Sequence, residues 1–399
     1  MTDVAANAAD ERGRPGAGAL LSSEKVRGVF WQALLLAVVV GVGWYLFSNT
    51  QANLARSNIQ VGFDFLGKEA GFEIAESPIA YDATRTYGRA FLVGVLNTLY
   101  VSLLGIVLAT ILGTLVGVAR LSSNWLVAKL ASAYVEVMRN VPLLLQLFAW
   151  YVFLTELLPP VRQAIDVGGL VFLSQRGMNY AWPVAHPAYG YAGIGFVAGI
   201  IAFLAYRAHA RRRQNESGVQ LPLLLPALGF LVGIPVVAWL VGGAPTELDV
   251  PRLSGFGMRG GRNVSPEFTA LLIGLTTYTA AFIAEVVRGG ILAVDRGQTE
   301  AAQALGLTPG KTLRLVTLPQ ALRVIVPPMT SQYLNLTKNS SLAVAIGYPE
   351  LVSVANTSMN QTGQAIEAIA ILMAVYLAIS LVIAIVMNIY NSRVRLVER

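Results

Sequence analysis

The 399-residue chain contains no cysteine. That excludes disulfides, thiolate metal clusters and a thiol nucleophile. Histidine is almost as scarce. His186 and His209 are the only two, and neither has other ligand types beside it, so no metal site is expected. Charge is thin: Asp, Glu, Lys and Arg make up 13% of the residues, against roughly 25% in a soluble domain. No Gly-x-x-x-x-Gly-Lys-Ser/Thr phosphate loop occurs, so the chain is not expected to hydrolyse ATP itself. No reactive cluster suited to a membrane-embedded enzyme is present, and nothing calls for a cofactor. The net charge of +7 gives no reason to expect a nucleic-acid partner, because the basic residues gather at the ends of apolar runs, as the positive-inside rule describes.

What the chain has in abundance is apolar residues, 55% of the total. The reading is an all-α, polytopic membrane protein in contact with lipid. About eight spans are expected, at residues 29–47, 91–119, 125–157, 192–206, 221–242, 268–287, 321–345 and 368–390. Residues 1–22, rich in Ala, Gly, Asp and Arg, read as a disordered cytoplasmic tail. Lys25 and Arg27 place the start of the first span inside. That run lacks a clear small-residue cleavage site and reads as a helix rather than a signal peptide. Arg207, Arg211, Arg212 and Arg213 mark a cytoplasmic loop, and Arg393, Arg395 and Arg399 keep the C-terminus inside. Arg139-Asn140-Val141-Pro142 divides 125–157 into two helical pieces that cross once. Pro327-Pro328 is expected to kink 321–345. Residues 158–191 and 346–366 read as external segments.

One segment carries a long pattern of fixed spacing. Residues 300–319 read EAAQALGLTPGKTLRLVTLP, with Glu300-Ala301-Ala302, Gly306 four residues later, then Val316 and Leu318-Pro319. Ala and Leu favour a short helix over 300–307. Thr308-Pro309-Gly310 is expected to stop it. Gly306 is expected to leave room for close approach between the two helices of the loop. The segment resembles the EAA loop of ABC importer membrane subunits, which docks on the partner ATPase.

Further motifs extend the likeness. Asn97-Thr98-Leu99, Tyr134-Val135-Glu136, Arg139 to Leu144, Ala284 to Gly290 and Lys338 to Leu342 resemble segments of polar amino-acid ABC permeases. Asn140 stands where many relatives have glycine. The enlarged layout looks like the longer, Q-type membrane subunit of general L-amino-acid ABC importers. The resemblance implies a type I importer permease core at 91–157 and 267–399, with its EAA loop at 289–320. It makes residues 1–28 a tail, 29–90 an extra helix with a periplasmic loop, and 158–266 an insertion with a helical pair. It implies a bacterial inner-membrane location with both termini cytoplasmic. It also implies three partners: a second homologous permease subunit, ABC ATPase subunits and a periplasmic amino-acid-binding protein. The function implied is half of a translocation pathway for L-amino acids. A permease for another small polar solute is the alternative.

Charges within spans are expensive and tend to face a cavity or a partner. Arg139 and Asn140, at the helix break, are candidates for gripping a substrate carboxylate, or Arg139 pairs with Glu136. Glu285 faces a substrate ammonium, holds Lys338, or packs beside Arg288. Lys338, Asn339, Ser340 and Ser341 either line the pathway or hydrogen-bond between helices. Glu300, Ala301, Ala302, Gly306, Leu318 and Pro319 are the candidate ATPase-coupling residues.

Overall fold

A computed structural model describes residues 24–56, 62–255 and 257–394. The expected tail at 1–22 and the terminal Arg395 and Arg399 lie outside the described residues. Helix α1 (Glu24–Arg56) comes first. The apolar residues of its Arg27–Thr50 stretch are exposed along the whole length. Helix α2 (Tyr87–Ala119) starts at Thr86, whose hydroxyl accepts from the Arg89 amide. Asn124 caps α3 (Trp125–Asn140) in the same way. Pro142 then ends the first helical piece and begins α4 (Leu143–Val152), which runs on through a π-helical turn, Phe153–Leu157. The two pieces meet at 104°.

The segment that follows α4 is not all helical. Strands β1 (Ile165–Val167), β2 (Val171–Ser174) and β3 (Gly177–Tyr180) form an antiparallel sheet, completed by β8 (Arg262–Val264). Two smaller pairs join it: β4 (Trp182–Pro183) with β5 (Leu248–Asp249), and β6 (Arg252–Ser254) with β7 (Gly257–Arg259). Between β4 and β5 rises a helical hairpin, α5 (Pro187–Ser217) and α6 (Leu224–Val241). Its helices touch where Gly199 lies against the Phe230 carbonyl, a contact that leaves no space for a Cβ. The expected external segment at 158–191 is therefore largely a small sheet. Its strands are too short to register as alternating runs in the sequence.

Ser265 ends the sheet and caps α7 (Pro266–Leu292), with Pro266 at its first position. Helix α7 is the axis of the core. Of its most apolar 18-residue stretch, 61% is buried, against 33% in that of α2 and none in that of the last helix, α12 (Ala365–Val394). Small residues let helices approach α7 closely. Gly113 and Gly117 of α2 leave no room for a Cβ against Ile283 and Ala284, and Gly274 meets Leu147 of α4.

After α7 come α8 (Arg296–Ala304), α9 (Pro309–Thr312) and α10 (Leu318–Asn339). A 3-10 turn (Ser340–Ile346) and α11 (Leu351–Thr362) precede α12. Helix α10 continues through Pro327 and Pro328. The segment at 346–366, expected to be a short external one, contains α11. That helix buries Leu351, Val354 and Ala355 against Phe65, Tyr87 and Phe91.

Among the described residues, six helices are long and apolar enough to cross a membrane, and the bent pair α3–α4 makes up to seven. The remaining expected span, 321–345, forms as helix α10. Gln320, Arg323, Gln332, Asn335 and Lys338 make it too polar to qualify by composition.

Candidate functional site

The EAA segment folds as a helical hairpin at the end of the bundle to which α7 leads. Asp295 caps α8 through the Gly297 amide at 2.7 Å. The helix ends at Gly306, whose φ is +77°. The Gly306 amide donates to the Gln303 carbonyl at 2.9 Å, and the Leu307 amide to the Ala302 carbonyl at 3.1 Å. This is the glycine-dependent Schellman stop. The expected role of Gly306 as a spacer is therefore corrected: a Cβ there meets nothing within 4 Å. Its left-handed backbone is what calls for glycine. Thr308-Pro309 likewise opens α9 rather than closing α8, since Pro309 stands at the first helical position.

Ala302 is buried, while Glu300, Ala301, Gly306 and Pro319 are exposed. Leu305, Leu313, Leu315 and Leu318 are exposed at 83%, 52%, 60% and 42%. An apolar rim of this kind around a small Ala-rich helix suits helix-in-groove docking. Sequence reading singled out only Leu318 of these four, because leucine in a leucine-rich chain carries no signal.

Arg139 and Asn140 are exposed at the helix break. The break is held open by Gln146, whose amide donates to the Met138 carbonyl at 2.9 Å and the Val141 carbonyl at 3.0 Å. These are carbonyls that Pro142 leaves without a helical partner. The possible Glu136–Arg139 ion pair does not form. The Arg139 guanidinium instead lies over the Phe282 ring of α7, 5.2 Å from its centroid. Gln146 went unnoticed in the sequence, although an amide within PLLLQLF was the available signal.

Glu285 lies one turn further along α7. Its carboxylate bonds Arg120 on one oxygen and Arg288 on the other, the latter at 2.6 Å. Of the open readings, packing beside Arg288 is the one the contacts show. Glu285 does not pair with Lys338. Arg120, from the turn after α2, was the residue sequence reading missed.

Lys338 is exposed and Asn339 half-buried at the end of α10. The Ser340 hydroxyl donates to the Thr337 carbonyl and that of Ser341 to the Lys338 carbonyl, both at 2.7 Å. These bonds tighten the passage from α-helix to 3-10 turn and do not link separate helices. The turn packs against both α4 and α7. The elements that follow the Arg139 break and the Lys338 cluster are therefore neighbours.

A buried carboxyl absent from the candidate residues stands between α10 and α12. Glu350 is fully buried. It caps α11 through the Ser353 amide at 2.9 Å and accepts from the Tyr376 hydroxyl of α12 at 3.1 Å. Burial pushes its pKa up to about 7, and these hydrogen bonds oppose that shift.

Among the described residues, no group of three or more His, Cys, Asp or Glu is placed to hold a metal.

Residues 102–396 match the family described as "Binding-protein-dependent transport system inner membrane component". The chain is 47% identical over 375 residues to the general L-amino acid transport system permease protein AapQ of Rhizobium johnstonii, covering 94% of each chain. It is 49% identical over 380 residues to the putative amino-acid ABC transporter permease protein YhdX of Escherichia coli K12, covering 94% of this chain and 95% of that one. A solved structure titled "Crystal structure of an amino acid ABC transporter with histidines" aligns with a TM-score of 0.45 at 20% identity, covering 77% of this chain and 95% of that one.

Proposed function

We propose, from the premise that this chain belongs to the binding-protein-dependent transport system inner membrane component family, an account of how it conducts and couples. The chain is a multi-pass permease subunit of an amino-acid ABC importer, and not an enzyme. Importers of this family work with ATPase subunits and substrate-binding proteins, and the family implies the inner membrane. The observation that carries this reading is identity of nearly half the residues along almost the full chain.

The finer assignments are ours. The α8–α9 hairpin enters a groove on an ATPase subunit, with Glu300, Ala301, Ala302 and Gly306 setting its shape and Leu318-Pro319 starting the helix that transmits the motion. Arg139 and Asn140, with Lys338 and Asn339, face a pathway completed by a second, homologous permease subunit. Arg139 grips the carboxylate common to all amino acids, which is costly to desolvate without a cation. Glu285, already held by two arginines, anchors the inner end of the bundle. Ser340 and Ser341 shape the turn beside Lys338. Both termini are cytoplasmic.

Two experiments test these assignments. In the complex co-purified with its neighbouring subunits, Glu300→Lys and Gly306→Asp are expected to abolish transport while membrane insertion persists. Normal coupling of ATP hydrolysis in either variant would sink the docking assignment. Because the chain has no cysteine, Arg211→Cys and Leu253→Cys report topology without background. The first is expected to label only from the cytoplasm and the second only from outside, and the reverse pattern overturns the proposed orientation.

A further inference from the structure

The end of α7 remote from the EAA hairpin carries a polar cavity. The two ends of this 27-residue helix are about 40 Å apart. The cavity holds about 400 Å³ and lies between the loop before α2, the sheet and the start of α7. Glu76 and Arg262 both line it. So do Asn97, Asn263 and the aromatic rings of Tyr100, Tyr180, Phe268 and Tyr348.

Its walls are fixed. The Tyr100 and Phe268 rings stack with centroids 5.3 Å apart, and Phe268 meets Tyr348 at 5.8 Å. Asn97 donates from its amide nitrogen to the Glu76 carbonyl at 2.9 Å and to the Pro349 carbonyl at 2.8 Å. That ties the Glu76 backbone to the core. The strand register sets Arg262 opposite Tyr180, and Asn263 opposite Asn179. The Arg262 guanidinium lies over the Trp182 ring, 4.4 Å from its centroid. Stacking of this kind orients the plane and leaves its N–H edge available for an anion.

The two charged groups are not neutralised by each other, since among the described residues Glu76 and Arg262 form no ion pair. Burial raises the pKa of Glu76, the Ser265 hydroxyl opposes the rise, and the neighbouring Glu267 adds to it. A half-buried carboxylate in this setting gains from an arriving cation. The cavity therefore offers a carboxylate, a guanidinium and apolar ring faces within one small volume. A free α-amino acid presents the complementary set: an ammonium, a carboxylate and a side chain.

We propose that this cavity is an outer binding site for a free α-amino acid, with Glu76 receiving the ammonium and Arg262 the carboxylate, separate from the pathway at Arg139. It rests on the reading of the chain as part of an amino-acid importer. The side chain of the ligand lies along the aromatic wall, so the site grips the common groups and tolerates differences between side chains.

The test uses the assembled permease and ATPase complex in lipid nanodiscs, without the binding protein. Equilibrium binding of radiolabelled L-glutamine is measured. Competition by L-glutamine methyl ester, which lacks the carboxylate, and N-acetyl-L-glutamine, which lacks the ammonium, is measured beside it. Unlabelled L-glutamine is expected to displace the label and the two analogues are not. Glu76→Gln and Arg262→Gln are each expected to weaken binding at least about tenfold, as loss of a charged hydrogen-bond partner does.

Absence of displaceable binding in wild-type complex that transports amino acids with its binding protein would overturn the site and leave the importer reading intact. Wild-type binding by both variants would do the same. If the two variants bind L-glutamine normally but lose stimulation of ATP hydrolysis by the binding protein, this surface is a protein-docking face and the proposal fails. A wild-type complex that transports no amino acid with its binding protein would instead refute the importer reading itself.

Discussion

Two charges packed against one helix illustrate opposite uses of an ion in a membrane. Glu285 of α7 is held by Arg120 and Arg288. Arg139 lies over Phe282, three residues earlier on the same helix, and pairs with neither Glu136 nor Glu285. Both looked like pathway candidates in the sequence. Their environments separate them. A carboxylate whose two oxygens are engaged by two guanidiniums has little left to offer a ligand. A guanidinium resting on an aromatic face keeps its donors. The first charge joins the turn after α2 to the end of α7, and the second stands at a helix break held open by Gln146.

Disrupting the paired charge should have the largest effect. Glu285→Ala leaves Arg120 and Arg288 without their partner, and each charge-assisted hydrogen bond lost from this partly buried cluster costs about 1.5 kcal/mol or more. Thermal unfolding of the detergent-solubilised complex should show a clear loss. The double variant Arg120→Ala/Glu285→Ala should recover part of it. If Glu285→Ala assembles and unfolds as wild type does but loses transport, the two charges have been assigned the wrong way round.

The brace at the break comes next. Gln146→Leu removes two hydrogen bonds to carbonyls that the proline has left open, worth roughly 1 kcal/mol each. The variant should lower both the unfolding temperature and transport, because Arg139 loses its fixed position. Stability that falls with no change in transport would show that the break does not position Arg139.

Glu350 supplies a third kind of charge, buried with neutral partners. Its pKa is about 7 in the fold, above the ordinary carboxylate value. The protonated form is therefore favoured in the folded state, and the stabilisation is lost as pH rises through about 7. Unfolding temperature should fall between about pH 5 and pH 8 in wild type. Glu350→Gln should flatten that slope, and an unchanged slope contradicts the assignment.

Much of this was legible in the sequence. Composition and apolar run length gave a polytopic helical protein, and the EAA spacing marked a hairpin that the structure forms. Two kinds of feature were not legible. Short strands such as Trp182–Pro183 and Leu248–Asp249 carry no periodicity, because they pair across a helical hairpin more than sixty residues apart. Partnerships such as Arg120 with Glu285 span 165 positions and depend on how α2 packs on α7. The expectation for Gly306 gave the wrong physical reason, since pattern alone cannot distinguish a glycine needed for space from one needed for positive φ.

The most direct test is substrate uptake by the reconstituted complex carrying Arg139→Ala. The account predicts a complex that assembles as wild type does and that loses about tenfold or more in transport of neutral, acidic and basic amino acids alike, because the lost contact is to the shared carboxylate. Impaired assembly with normal transport by whatever complex forms would contradict it, leaving Arg139 as a structural residue like Glu285.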